Sequence, residues 1–288
     1  MNFTLTIMGT ASAMPISDRN PSAQMLAVHG RLFLMDCGEG TQQQMRRAHL
    51  SFIKVEAIFI THIHGDHLFG IFGLLNTMTM YGRTAPLYIY GPQALGSVLN
   101  FYKSFFGEWD GYEIKFTAVD CREPQIIHKS KHVTVSAFPL RHKIECYGYR
   151  FDEIVTERFA LEASHPLRPL KGDCADIADA TAPPTRRKPK SYAYCSDTVP
   201  FPEEAEWVRG VDLLYHEATY PQEMADKAVA RWHSTARQAA ECARDAGAGR
   251  LVIGHYSSRI TDFDALLQEC KEVFPDTLAA QDGDVIDF

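Results

Sequence analysis

Residues 3–9, FTLTIMG, alternate apolar and polar positions, the period of two expected of a strand with one buried face. The stretch 24–38, QMLAVHGRLFLMDCG, carries two apolar runs divided by His-Gly and reads as a hairpin. Residues 41–50 look helical, and KVEAIFIT (54–61) reads as a strand that runs straight into a histidine cluster. Residues 67–82 fit a helix despite two internal glycines, and APLYIYGP (85–92) is a strand stopped by Gly-Pro. HVTVSAFPLRH (132–142) and CYGYRF (146–151) alternate like strands, while 191–198 and 210–219 read as strand-to-loop transitions. STARQAAECARDAG (234–247) is a helix with Ser234 as N-cap and Gly247 just past its end. RLVIGHYSSR (250–259) is a strand ending in a histidine, and 262–273 is a last helix.

Strands and helices mix throughout, with both hairpins and helical crossovers, so the pattern predicts mixed α/β architecture with layered sheets. No short-period repeat and no linker divides residues 1–288, which read as a single domain. Around 152–190, proline and charge dominate, and an exposed arm or loop is expected there.

Composition narrows this picture. Of 288 residues, 45% are hydrophobic and 23% charged, enough apolar material for a substantial core. Apolar runs stay well short of the roughly 18–20 residues a membrane helix needs, and the start lacks the basic region of a secretion signal. Seven scattered cysteines, none in a CxxC, argue against a disulfide framework or a cysteine zinc knuckle and point to the cytoplasm. With a net charge of −7, nucleic-acid binding would have to use local basic patches. One such patch is TRRKPK (185–190), which places Arg186, Arg187, Lys188 and Lys190 together beside Pro183, Pro184 and Pro189. The prolines favour an extended, exposed segment suited to following a phosphate backbone; otherwise it is a solvated loop.

Chemistry concentrates in HIHGDH (62–67). A strand followed by a tight loop can point His62 and His64 the same way, while Asp66 and His67 sit where the next helix begins. Four such ligands from one turn can divide between two adjacent metal ions, and imidazole with carboxylate suits zinc where cysteine is absent. A metal pair needs further ligands, and three polar residues end apolar strands: His142 after SAFPLR, Asp197 after SYAYCS and His255 after RLVIG.

The sequence resembles the metallo-β-lactamase superfamily through HIHGDH. It resembles the ribonuclease Z family of tRNA 3′-end-processing endonucleases through GTASAMP, DCGEGTQQQ, YCSDT, YHEATY, HSTARQAA and GHYSSR. That resemblance implies a four-layer αβ/βα sandwich with the metals at one edge. It implies that His62, His64 and His142 hold one zinc, that Asp66, His67 and His255 hold a second, and that Asp197 bridges them. Manganese or iron can occupy such nitrogen and oxygen sites as well. Asp36 in MDCGEG would orient a ligand histidine, although from the residues alone it also reads as a turn aspartate. Glu217 in HEAT and His233 in HST would pair beside the leaving group. A carboxylate partner favours the charged form of histidine, which then stabilises phosphate charge or delivers a proton.

The implied reaction is metal-assisted hydrolysis of a phosphodiester in precursor tRNA, cut after the discriminator base to leave a 3′-hydroxyl, with Asp66 accepting a proton. A homodimer is implied too, one subunit gripping the RNA that the other cuts. The loop PISDRN (15–20) resembles a family loop near the substrate's 3′ end, with Arg19 retained and Ser17 where the family has lysine. KIECYGYRF after His142 lacks the proline many relatives carry before GYR, and the His142–Asp197 interval is short for the family's RNA-gripping arm. Two rivals fit the same scaffold: a hydrolase acting on a small phosphodiester or related ester, and a metal-dependent RNA-binding module without turnover.

Overall fold

The structure, a computed structural model, describes residues 3–106, 111–155 and 188–288. Its frame is a pair of seven-stranded sheets. In the first, the hairpin β2 (Ala23–Val28) and β3 (Arg31–Met35) follows β1 (Phe3–Gly9) in antiparallel pairing. From β3 onward the pairing turns parallel, through β4 (Val55–Phe59) and β5 (Leu87–Gly91) to β6 (Ile114–Ala118). The second sheet repeats this plan. Antiparallel β7 (Gln125–Lys129), β8 (Val133–Pro139) and β9 (Tyr147–Glu153) lead to β10 (Ser191–Cys195), which pairs in parallel with β11 (Leu213–Glu217). Parallel β12 (Leu251–Gly254) and β13 (Thr277–Ala279) complete it, while β14 (Val285–Asp287) returns to the edge of the first sheet beside β1.

Alternation along each strand sorts its side chains between two layers. In β3, Phe33 and Met35 face the inter-sheet core, and Leu32 and Leu34 face outward. Phe59 of β4 meets Tyr149 and Phe151 of β9 across that core, each at 5.3 Å between ring centroids. The outer face of the first sheet is covered by α1 (Thr41–Arg47), α3 (Ile71–Met80) and α4 (Gln93–Phe106), the short α2 (Gly65–Leu68) preceding α3. Beyond the turn α5 (Glu204–Trp207) and α6 (Ala225–Ala230), α7 (Ala236–Ala246) and α8 (Phe263–Lys271) cover the second sheet. Helix, sheet, sheet, helix is the αβ/βα sandwich expected.

Two local expectations need correction. The helix expected over 67–82 breaks at Phe69–Gly70, because Gly70 packs against the loop after β3: its N–H bonds to the Cys37 carbonyl, and a β-carbon there would sit 2.0 Å from the Gly38 oxygen. The cap of α7 is Thr235 rather than Ser234. Thr235 forms a reciprocal capping box with Gln238, while the Ser234 hydroxyl donates to the Thr198 carbonyl at 2.7 Å and ties this helix to the Asp197 loop.

Of the expected arm over 152–190, residues 156–187 lie outside the described residues, and Arg186 and Arg187 with them. Lys188 is exposed with its ammonium 3.4 Å from Asp212, and the Lys190 backbone N–H donates to Glu153. Among the described residues, no helix is long and apolar enough to cross a membrane.

Parallel pairing decides where the chemistry gathers. Strands β3, β4 and β5, and likewise β10, β11 and β12, end at a common edge of their sheet. The loops leaving those carboxyl ends carry Asp36, His62–His67, Asp197 and His255, and Glu217 is the last residue of β11 itself.

Candidate metal centre

Four nitrogens and oxygens converge from three loops. His62 Nε2 lies 3.0 Å from His64 Nδ1, His142 Nε2 lies 3.3 Å from the same atom, and Asp197 Oδ2 is 3.6 Å and 3.7 Å from His62 and His142. A second set adjoins it: His67 Nε2 and His255 Nε2 are 3.2 Å apart, each 3.5 Å from Asp66 Oδ2. The other Asp197 oxygen, Oδ1, faces this set at 3.4 Å from His67 and 3.2 Å from His255. Asp197 therefore presents one oxygen to each group. The structure brings together all seven residues that the sequence singled out as ligands.

The outer nitrogens of these imidazoles are committed elsewhere. Thr61 Oγ1 donates to Asp36, so His62 Nδ1 donates to Thr61 Oγ1 at 3.0 Å. His142 Nδ1 donates to the Trp232 carbonyl at 2.9 Å, and His67 Nδ1 donates to Asp36 at 2.8 Å. Thr219 Oγ1 donates to Glu217, so His255 Nδ1 donates to Thr219 at 2.9 Å. In the neutral tautomer each of these four rings then aims a bare Nε2 lone pair inward. Asp36 is wholly buried and also accepts from the Thr61 N–H and from Tyr194, so it is the orienting carboxylate of His67 rather than a simple turn residue.

Burial pushes His62, His64 and His142 below the usual histidine pKa, which keeps them neutral as ligands must be. Burial alone would raise the Asp66 and Asp197 carboxyls, but the surrounding imidazoles hold both well below the usual carboxylate range. For His67 burial is outweighed by Asp197, Asp66 and Asp36, so positive charge is favoured at this point. Converging lone pairs and carboxylates with charge demand of that sign fit divalent metal binding, which the fold also implies.

Backbone strain marks the same place. Six non-glycine residues among those described have left-handed φ, and four of them touch the site: Ala13, Asp36, Trp232 and His255. Ala13 donates its N–H to Asp66 Oδ2 at 2.7 Å, Trp232 gives His142 its carbonyl, and Asp36 and His255 act through their side chains. Sequence reasoning had no signal for Ala13 and Trp232, which act through main-chain atoms. Thr219 shared the motif HEAT with Glu217, so its neighbourhood was the only clue.

Beside the second group, His233 Nδ1 donates to Glu217 Oε1 at 2.9 Å. Glu217 is fully buried and accepts further from the N–H groups of Thr198 and Thr219. Burial alone would lower His233, but Glu217 and Asp197 outweigh it and raise the pKa to about 9. His64, Asp66, His142, Asp197 and His233 open onto one cleft of about 910 Å³. Its rim carries Lys143, Lys227, Arg231 and Arg259, four cations that the sequence reading did not single out because they are not contiguous. Arg19 is not among the lining residues; its guanidinium stacks over Phe263 at 4.3 Å.

Residues 3–153 match the family model described as anti-Pycsar protein Apyc1, and residues 185–256 match that of the beta-lactamase superfamily domain. Over its whole length the chain is 38% identical to ribonuclease Z of Porphyromonas gingivalis, with 99% of each protein covered. The chain belongs to the ribonuclease Z family. Within that family it is 38% identical to ribonuclease Z of Bacteroides thetaiotaomicron, covering 98% of this chain and 94% of the relative. It is also 40% identical to ribonuclease BN of Cronobacter sakazakii, covering 96% of this chain and 97% of the relative. The crystal structure of the short form of human tRNase Z superposes with a TM-score of 0.73 at 27% identity, covering 98% of each chain.

Proposed function

We propose that this chain is a divalent-metal-dependent endoribonuclease that hydrolyses precursor tRNA after the discriminator base, removing the 3′ trailer and leaving a 3′-hydroxyl. The observation that carries the chemistry is the division of Asp197, one oxygen toward each of two ligand groups. Family membership over the full chain supports the substrate. His62, His64, His142 and Asp197 would hold one ion, and Asp66, His67, His255 and Asp197 the other, zinc being the metal this donor set suits and manganese or iron able to substitute. When bound, the metals supply Lewis-acid stabilisation of phosphoryl charge and lower the pKa of water.

The chain's own groups handle the protons. Asp66, held by the Ala13 N–H, accepts the proton that the attacking water loses as its oxygen bonds to phosphorus. His233, kept cationic by Glu217, supports charge on the phosphate and gives its Nε2 proton to the 3′-oxygen as the P–O3′ bond breaks. Lys143, Lys227, Arg231 and Arg259 at the rim would attract the RNA backbone, with the basic run TRRKPK (185–190) adding further phosphate contacts.

Cytoplasmic location is inferred from the cysteines, six of which are free among the described residues, four of them buried. Homodimerisation is inferred from family membership. The exposed Phe101 and Phe105 of α4 offer apolar surface for it, and light scattering at micromolar concentration tests it. Mapping both ends of a cleaved precursor tRNA, with and without chelator, tests the central reading. A single cut after the discriminator base, lost on chelation, is expected; progressive shortening from the 3′ end would contradict endonucleolytic cleavage.

A further inference from the structure

Two large aromatic residues that stay substantially exposed line the cleft. Phe69 is 67% exposed and Trp232 is 45% exposed, and they come from different halves of the sandwich. Phe69 follows α2 directly, two residues after His67. Its ring lies over Gly65, where any β-carbon would fall 2.4 Å from the ring, so that glycine lets the aromatic plane rest on the ligand loop itself. Trp232 immediately precedes His233 and holds φ at 61°.

That conformation is strained for a bulky residue. The main-chain bond from His142 to the Trp232 carbonyl explains the backbone geometry, yet glycine or asparagine would supply the same carbonyl with less strain. The indole therefore has a use of its own. Burial accounts for only part of it, since 45% of the residue stays exposed, and the cleft it lines holds the candidate proton donor and the ligand loop. Flat apolar faces on the walls of a cationic cleft suit a partner with planar bases and a charged backbone.

We propose that Trp232 and Phe69 form an aromatic clamp that stacks the two nucleobases flanking the scissile phosphate. Trp232, next to His233, takes the base on the side of the departing 3′-oxygen. Phe69, next to Asp66 and His67, takes the base on the trailer side. Stacking of this kind is indifferent to base identity, so the clamp fixes the phosphate between the two ligand groups without reading sequence. The inference rests on the tRNA reading above and specifies which parts of that substrate the cleft touches.

The test uses full-length, metal-loaded protein and precursor tRNA in single-turnover cleavage, with an abasic nucleotide on one or other side of the scissile phosphate. Trp232→Leu and Phe69→Leu should each lower kcat/KM on intact RNA by about 5- to 150-fold. Each abasic substrate should cost the unmodified protein a similar factor. Combining Trp232→Leu with the 5′ abasic site, or Phe69→Leu with the 3′ abasic site, should cost no more than either change alone. Trp232→Phe and Phe69→Tyr, which keep a ring, should retain most of the activity, and metal content should match throughout. Losses that multiply at both positions, or ring-keeping variants as impaired as the leucine ones, would overturn the clamp. If the unmodified protein leaves precursor tRNA intact, the substrate reading falls and the clamp with it; cleavage with independent losses overturns the clamp alone.

Discussion

Glu217, fully buried, places Oε1 2.9 Å from Nδ1 of His233, while its Oε2 accepts from both the amide and the hydroxyl of Thr219. A carboxylate held this firmly fixes which imidazole nitrogen turns to the substrate and keeps the ring charged. The pair therefore brings positive charge to the cleft beside the candidate metal ligands, His233 Nδ1 lying 3.9 Å from Asp197 Oδ2.

The first prediction follows from that arrangement. His233→Ala should lower the rate of precursor-tRNA cleavage by about 10²- to 10⁴-fold while metal content stays unchanged. A substrate whose leaving group departs without a proton should lose much less. Equal losses on the two substrates would assign His233 to positioning alone.

The second concerns stoichiometry. Seven nitrogen and oxygen ligands, with Asp197 facing both groups, predict two metal ions per chain. Asp36→Ala removes the carboxylate behind His67 and should weaken metal affinity by about 10- to 100-fold without changing the ligand count. Elemental analysis after zinc reconstitution, followed by competition with a chelator, measures both; one ion in the unmodified protein would defeat the dinuclear assignment.

Much of this site was legible because its residues sit in recognisable places. HIHGDH is contiguous, and His142, Asp197 and His255 each close an apolar strand. The parallel order of β10, β11 and β12 that aligns Asp197 with His255 could not be read, since pairing partners are remote in sequence. Contributions made by main-chain atoms were invisible: any residue offers a carbonyl, so nothing in the letters WH announces that Trp232 orients His142. The cap moved from Ser234 to Thr235 because both residues can cap, and only the tertiary bond to Thr198 decides between them. Strands β13 and β14, three residues each, are too short to show a period, whereas α4 does carry helical spacing at Leu95, Leu99 and Tyr102, interrupted only by Gly96.

Asp66 supplies the third prediction. It is a ligand candidate and the proposed proton acceptor, and its removal leaves all three apolar clusters intact. Asp66→Ala should abolish turnover while the thermal midpoint of the metal-free protein changes little. A metal-loaded variant that kept near-normal cleavage would exclude Asp66 as the base.

The fourth prediction concerns stability and lies away from the metals. His216, buried under α7, donates from Nδ1 to the Glu217 carbonyl at 2.7 Å and pairs through Nε2 with buried Glu204 at 3.1 Å. Burial alone would lower its pKa, but Glu204 and Cys242 outweigh it and raise it well above the usual value. Because the folded-state pKa exceeds the unfolded one, the pair's contribution is complete below about pH 6.5 and fades as pH rises through the folded value. Glu204→Gln should therefore destabilise most near pH 6 and progressively less toward alkaline pH. Denaturant unfolding of both proteins at several pH values measures the gap, and a gap that widens with pH would contradict the assignment.

The last prediction separates two sources of RNA affinity. Lys143 and Arg231 line the cleft, whereas Arg186, Arg187, Lys188 and Lys190 cluster in the sequence, and of these the described Lys188 and Lys190 are not among the lining residues. In a protein of net charge −7, both sets stand against their background and should contribute by releasing counterions from RNA. Removing one cation that neutralises a phosphate should flatten the dependence of log affinity on log salt by about 0.7 to 0.9. Replacing Lys143 and Arg231 with serine should cut the slope by up to two such increments and weaken the binding of trailer-containing RNA. Serine at the four positions of 185–190 should flatten the slope for full precursor tRNA and leave a short single strand spanning only the scission site bound as before, because that strand does not reach beyond the cleft. Filter binding at a series of salt concentrations reads both slopes. An unchanged slope for full precursor tRNA would reduce 185–190 to a solvated loop, and weaker binding of the short strand would place those cations near the cleft after all.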